Sequence, residues 1–251
     1  MTQVGAAAAA LIPPGICLGI GSGRTVASFL GALAPRIAAG LGVAGVCASL
    51  ASEELARQAG VEVIDGVRTP LDLDIDGADE IDSELGCLKG GGGALLREKV
   101  IAVNSRRLWI LVTSDKRVAR LGSARPLPVE VLPFGWEWTA ERLRDLGLEP
   151  ARRGGEHPLR TDNGNFVLDC TSVGGLPDPA GLDRSLSGVP GVVGHGLFLK
   201  LATAALVADG EQVTRLGDLD ARRGAPAARS DPVSGPAGRP SPDHATDPDP
   251  S

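Results

Sequence analysis

Between Ile16 and Ser114, short apolar runs alternate with longer amphipathic ones, and this alternation leaves few architectures open. Residues 16–33, ICLGIGSGRTVASFLGAL, read as strand, glycine turn and helix. VAGVCAS (43–49) and SEELARQAG (52–60) repeat the pattern. Ser52 is expected to cap the second helix, because a serine hydroxyl takes up a free backbone N–H there. VEVID (61–65) and LDLDID (71–76) read as strands, GALLREKVIAVN (93–104) as a helix and RRLWILVTS (106–114) as a further strand. Strands separated by helices must cross over to lie parallel, so the expected fold class is α/β: a doubly wound, mostly parallel, Rossmann-like sheet with helices on both faces. Such sheets hold ligands beyond the carboxyl ends of their strands. GSGRT (21–25), the acids after LDLDID and SDK (114–116) all fall at such ends.

The texture changes after Pro126. LPVEVLPF, WTAERLRDLG and TDNGNFVLDCTS suggest strand, helix and hairpin, with Asn163-Gly164 supplying positive φ at the turn. The expected organisation is a large α/β domain over 1–125 and an inserted smaller α+β domain over 126–195. Residues 196–220 then return to the large domain as a strand pair. Residues 221–251 hold seven prolines and one large aliphatic residue, Val233, too little apolar surface to offset chain entropy, and are expected to form a disordered tail.

Charge and cysteine content exclude several functions. The chain of 251 residues carries a net charge of −6, which argues against nucleic acid as a partner. The tail has four Arg and four Asp, so residues 1–220 carry all of that charge. Cys17, Cys47, Cys87 and Cys170 are widely spaced with no C-x-x-C pair, as expected of reduced thiols in a cytoplasmic protein and not of a zinc site. The first basic residue is Arg24, so no basic leader precedes the AAAAALI run, and Pro13, Pro14 and the glycines after them argue against a membrane span.

LDLDIDGADEID (71–82) admits two readings. Asp72, Asp74 and Asp76 followed by Gly77 imitate the start of a calcium-binding EF-hand loop. Such a loop needs a bidentate Glu at its twelfth position, which here is Ser83, and Leu73 and Ile75 are wrong for a solvated loop. A strand with Leu71, Leu73 and Ile75 on one face and the aspartates on the other fits better. No metal site is expected.

LKGGGGALLREKVIAV (88–103) is the second feature. Its glycines can offer backbone N–H groups to an anionic oxygen at a helix start. Seven of the ten residues from Ala94 to Val103 are apolar, which suggests a largely buried helix. Glu98 on that helix is then either ion-paired or functional. Against 21 arginines the chain has four lysines, Lys89, Lys99, Lys116 and Lys200, three of them in or beside these motifs. A compact ammonium approaches a single oxygen as a guanidinium does not. GIGSGRT lacks the full dinucleotide and P-loop fingerprints and alone signals little more than a turn. His157, His195 and His244 are scattered and suggest no chemistry.

Taken in order, GSGRT, DGADEID, KGGGGALLREK and SDK resemble ribose-5-phosphate isomerase of type A, a similarity running from about Ile16 to Leu219 and including PLPVEV and TDNGN. The resemblance implies interconversion of D-ribose 5-phosphate and D-ribulose 5-phosphate in the pentose phosphate pathway, without metal or organic cofactor, by a homodimer or larger assembly. It implies Glu98 as the base moving a proton between C1 and C2, and Asp76, Asp79 and Lys89 acting on the sugar hydroxyls and the developing oxyanion. It also implies substrate contacts from Ser22, Gly23, Arg24, Thr25, Asp76, Gly77, Ala78, Asp79, Lys89, Gly90, Gly91, Gly92 and Lys116. The chain departs from the family at Arg24, where Ser or Thr is usual, and in lacking an amino-terminal lysine; Arg24 is expected to supply the missing charge for the phosphate. A sugar-phosphate-sensing effector domain shares the fold, but such domains carry a helix-turn-helix, for which the sequence ahead of Ile16 has no room.

Overall fold

The computed structural model describes residues 2–65 and 70–223; the expected tail, beyond its first three residues, lies outside them. The strands are β1 (Ile16–Ile20), β2 (Val43–Cys47), β3 (Glu62–Val63), β4 (Leu73–Gly77), β5 (Glu80–Ile81), β6 (Cys87–Leu88), β7 (Leu108–Thr113), β8 (Leu127–Val131), β9 (Glu149–Arg152), β10 (Phe166–Thr171), β11 (Val192–His195), β12 (Leu197–Phe198), β13 (Ala204–Asp209) and β14 (Gln212–Gly217). The helices are α1 (Thr2–Ala10), α2 (Arg24–Ala38), α3 (Leu50–Gln58), α4 (Leu95–Val103), α5 (Trp136–Asp145) and α6 (Pro179–Leu186). Seven strands form one sheet in the order β14-β13-β7-β4-β1-β2-β3, parallel throughout except for the antiparallel β13–β14 hairpin. A four-stranded antiparallel sheet, β11-β8-β10-β9, spans residues 127–195. A third sheet, β12-β6-β5, is too short for its sequence to announce it.

The two faces of the large sheet have different chemistry. On one, Leu18, Ile20, Leu73 and Ile75 pack under α1 and α2 against Val4, Ala8, Phe29 and Leu33. Small residues let these helices close up: a Cβ on Gly5 would sit 2.7 Å from Ser28 Oγ. The other face carries Gly19 and Asp74, which are register partners, beneath Ile101 of α4. Asp74 is fully buried, so β4 is central and covered on both faces, where its alternating pattern suggested one wet face.

Three local expectations change. Ser49 caps α3, and Ser52 sits three residues inside it; their side chains each take the other's backbone N–H at 3.0 Å, so the motif starts one turn earlier than expected. Gly164 alone has positive φ in the TDNGN turn. Helix α4 buries Leu95, Glu98, Ile101 and Ala102 but exposes Val100 and Val103, so it is not apolar-buried all round. The first tail residues dock: Arg223 donates from its backbone to Arg106 O and from its guanidinium to Ala102 O at the end of α4.

The sheets are stitched together at Glu80, which is fully buried. Its carboxylate accepts from the backbone N–H groups of Gly122 (2.5 Å), Ala124 (2.7 Å) and Arg125 (2.7 Å), in the segment that leads into β8. Glu80→Ala strips an acceptor from all three donors, a loss of about 2–4 kcal/mol. Its melting temperature should fall by roughly 5–15 °C. An unchanged melting temperature would mean that the segment is held by other contacts.

Candidate functional site

The chain leaves β1 toward β2 and β3, then returns to β4 on the other side and continues outward to β7 and β13. The strand order therefore reverses between β1 and β4, where a crevice opens beyond the strand ends. A cavity of about 380 Å³ occupies that crevice. Ser22, Gly23, Arg24 and Thr25 line it from the end of β1 and the start of α2, and Gly77, Ala78 and Asp79 from the end of β4. Lys89, Gly91 and Gly92 line it from the glycine loop, Glu98 from α4, and Lys116 from the turn after β7. The structure thus brings the sequence-predicted residues into one place, with Asp76 and Gly90 beneath the lining.

Gly19 on β1 and Gly21 just past its end make the site possible. A Cβ on Gly21 would lie 2.0 Å from the Asp76 carboxyl carbon, and one on Gly19 would lie 2.9 Å from Asp74 Oδ1 and 2.4 Å from Ile101 Cγ2. The G-x-G of this strand therefore clears room for the aspartates of the neighbouring strand. Only Gly23 in the loop itself has positive φ, at 90°, as the residue before α2.

Asp76 is 1% exposed and its carboxylate is committed on both sides. Oδ1 accepts from Ser22 N at 3.3 Å and Gly77 N at 2.7 Å, while Oδ2 lies 2.8 Å from Lys89 Nζ. The same Nζ donates to Gly77 O at 2.6 Å and lies 3.1 Å from Glu98 Oε2. One buried ammonium is thus shared by two buried carboxylates. Burial by itself would lower the Lys89 pKa, but Asp76 and Glu98 outweigh it and hold the amine firmly charged. Glu98 is pushed up to about 7, first by burial and then by Asp76, with Lys89 pulling the other way. That combination supplies a carboxylate near neutrality beside a fixed positive charge.

Asp79 holds the glycine loop: its Oδ2 accepts from Gly91 N at 2.7 Å. The loop's reversal requires glycine at Gly90 (φ 104°), where a Cβ would also meet Leu95 and Pro128. Residues in and beside the second sheet, which sequence reasoning missed, brace this loop and α4. Arg153 pairs with Asp169 and donates to Gly90 O (2.9 Å) and Gly91 O (3.1 Å). Glu130, fully buried, accepts from Thr161 Oγ1, Asn163 Nδ2 and Asn165 Nδ2, and the turn so fixed receives Arg97 on Asn163 Oδ1 at 2.8 Å. The TDNGN signal was visible in the sequence; nothing local tied it to α4.

The aspartates of LDLDID do not converge. Asp72 accepts from Cys17 N at 3.1 Å at the far end of β4 from Asp76. Asp74 lies between them with neither carboxylate oxygen hydrogen-bonded. Among the described residues no group of three or more His, Cys, Asp or Glu side chains could hold a metal ion, and no helix is long and apolar enough to cross a membrane.

Residues 44–212 match the family model described as ribose 5-phosphate isomerase A (phosphoriboisomerase A). A ribose-5-phosphate isomerase A of Thermomicrobium roseum is 48% identical over 204 residues, covering 80% of this chain and 86% of the relative. One from Roseiflexus sp. is 42% identical over 217 residues, covering 84% and 93%. Among solved structures, ribose 5-phosphate isomerase A from Methanocaldococcus jannaschii aligns with a TM-score of 0.81 at 32% identity, over 86% of this chain and 97% of that one. A D-ribose-5-phosphate isomerase in complex with phospho-erythronic acid aligns with a TM-score of 0.82 at 31% identity, over 86% and 97%.

Asp74 offers a direct check on the electrostatics of this region. Burial, then Asp76, holds its carboxyl well above the ordinary range. The folded protein therefore keeps a proton that the unfolded chain releases above about pH 4, and stability is lost as pH rises beyond that point. Asp74→Asn removes this penalty. Its melting temperature should match the wild type near pH 4 and exceed it by a margin that widens toward pH 7. A constant difference across that range would show that Asp74 is not the protonated group.

Proposed function

The chain belongs to the ribose 5-phosphate isomerase A family; on that premise we propose that it interconverts D-ribose 5-phosphate and D-ribulose 5-phosphate in the pentose phosphate pathway, with Glu98 as the base that carries the proton. The observation behind this is the Glu98–Lys89–Asp76 arrangement at the floor of the cavity, with Glu98 poised at about 7. In the ring-opened aldose, the Glu98 carboxylate removes the proton on C2 and the electron pair moves onto the C1 carbonyl oxygen. The resulting enediolate lies near the Lys89 ammonium and the N–H groups of the glycine loop, which favour negative charge at that oxygen. Delivery of the proton from Glu98 to C1, with transfer of the O2 proton to O1, gives the ketose. Asp79, on the cavity wall, is suited to a sugar hydroxyl. Asp76 lies under the lining, and its role on this reading is to hold Lys89 and the Ser22 N–H in place.

The phosphate end follows from charge. The substrate is a dianion and the chain is net negative, so local cations must hold it. Arg24 opens α2 at the mouth of the cavity, and Lys116 lines it from the turn after β7. Backbone N–H groups at a helix start favour the same charge. Arg24 is thus placed to take the phosphate where the chain lacks its family's amino-terminal lysine. We place the enzyme in the cytoplasm, in keeping with four free cysteines, and read it as a homodimer, for which the exposed Phe134 and Trp138 offer apolar surface.

A coupled assay for ribulose 5-phosphate tests the chemistry. Glu98→Gln should lower kcat by ~10²–10⁴-fold with little change in KM, as loss of a general base does. The base must be ionised, so wild-type kcat/KM should rise through pH 7 and level off above it. A near-normal kcat in Glu98→Gln, or a flat profile across pH 6–8, would remove Glu98 from this role.

Arg24→Ser tests the phosphate contact separately. At low ionic strength KM for ribose 5-phosphate should rise by roughly tenfold, the loss of one charge-assisted hydrogen bond, with kcat less affected. An unchanged KM would show that Arg24 does not bind the phosphate.

A further inference from the structure

Lys99 follows the proposed base on α4 but serves a different cavity. It lines a pocket of about 380 Å³ whose walls include Leu96, Val100, Val103, Val192 and Val193. Its Nζ lies 3.3 Å from His195 Nδ1, and His195 Nε2 lies 3.6 Å from Asp183 Oδ1. The ring of Phe198 stands 5.1 Å from Nζ, with Lys89 5.2 Å from the same ring. No carboxylate lies within ion-pairing distance of Lys99 among the described residues, in contrast to Lys89, which has two. The amine thus meets an imidazole, an aromatic ring and largely aliphatic walls, with Asp183 and Ser187 also lining the pocket.

We propose that Lys99 is a covalent site for small aliphatic aldehydes, whose alkyl tail would occupy the Leu96–Val100–Val193 pocket. The reaction needs no partner beyond the aldehyde. The Lys99 nitrogen lone pair adds to the carbonyl carbon to give a carbinolamine, whose oxygen leaves as water, and the C=N bond of an imine remains. Only a neutral amine can begin this step. The surroundings favour that form: burial draws the Lys99 ammonium down to about 8 against a smaller opposing pull from Asp183. His195 is lowered to about 3, by burial and then by Lys99, so it faces the amine as a neutral ring able to accept an N–H. Arg97 and Glu98 flank Lys99 on its own helix, Glu98 being engaged with Lys89. An alkyl tail also suits these walls better than an anion, which would lose its hydration there for less than a full countercharge.

The test compares lysines within one protein. The full chain is incubated with butanal and cyanoborohydride between pH 7 and 9, and labelled peptides are quantified by mass spectrometry. Lys200 is exposed and serves as the internal reference. Lys99 should label at least about tenfold faster than Lys200 at pH 7, with a rate that levels off above about 8. Val193→Glu, at an exposed wall position, adds a carboxylate that stabilises the ammonium and repels the tail; it should slow labelling of Lys99 several-fold and leave Lys200 unchanged. Labelling of Lys99 no faster than Lys200, or a rate indifferent to Val193→Glu, would overturn the proposal.

Discussion

The structure turns on one buried ammonium. Lys89 is 3% exposed and has two carboxylates and a backbone carbonyl around it. Removing a cation of this kind would leave Asp76 and Glu98 as like charges in a dry site, and removing either acid would leave the lysine undercompensated. Each of the three charges is thus balanced by the other two. A lysine is suited to the position because its charge is compact and its three protons can point to three separate oxygens.

That cluster depends in turn on space made elsewhere. Gly19 on β1 and Gly21 just beyond it stand beside Asp74 and Asp76 of β4, and the side chains of the acids fill the volume that the glycines lack. The glycine loop that closes over Lys89 is held from one side by Asp79 and from the other by Arg153, the residue after β9 of the second sheet. The second sheet is therefore part of the site's scaffold although it contributes no residue to the cavity lining. Glu80 and Glu130 do similar work as buried acceptors that fix loops through several donors at once.

Much of this could be read in the sequence, and the reasons are physical. Alternation of strands and helices dictates a parallel sheet, and the strand ends rich in Gly, Asp and Lys mark where its crevice opens. DGAD, KGGGG and Glu98 were legible because each departs from what packing alone requires. Arg153 was not, since one arginine among 21 carries no local mark and its partners in the glycine loop are 62 and 63 residues away. The exposure of Val100 and Val103 escaped for the same reason: a helix of mixed apolar residues does not disclose which neighbours will cover it. The cap of α3 was misplaced by one turn because either serine fits the motif and only the path of the chain selects between them.

The two described margins of the large sheet are unlike its interior. One ends in β3, two residues long; the other in β14, where Gln212, Thr214 and Arg215 lie exposed along an antiparallel strand. A long apolar border would present a row of free backbone groups for a strand of another molecule to pair with. Here one border is too short to serve as a template and the other is clothed in polar side chains. The sheet's buried middle is thus bordered on both sides by margins that offer little for a strand of another molecule to pair with.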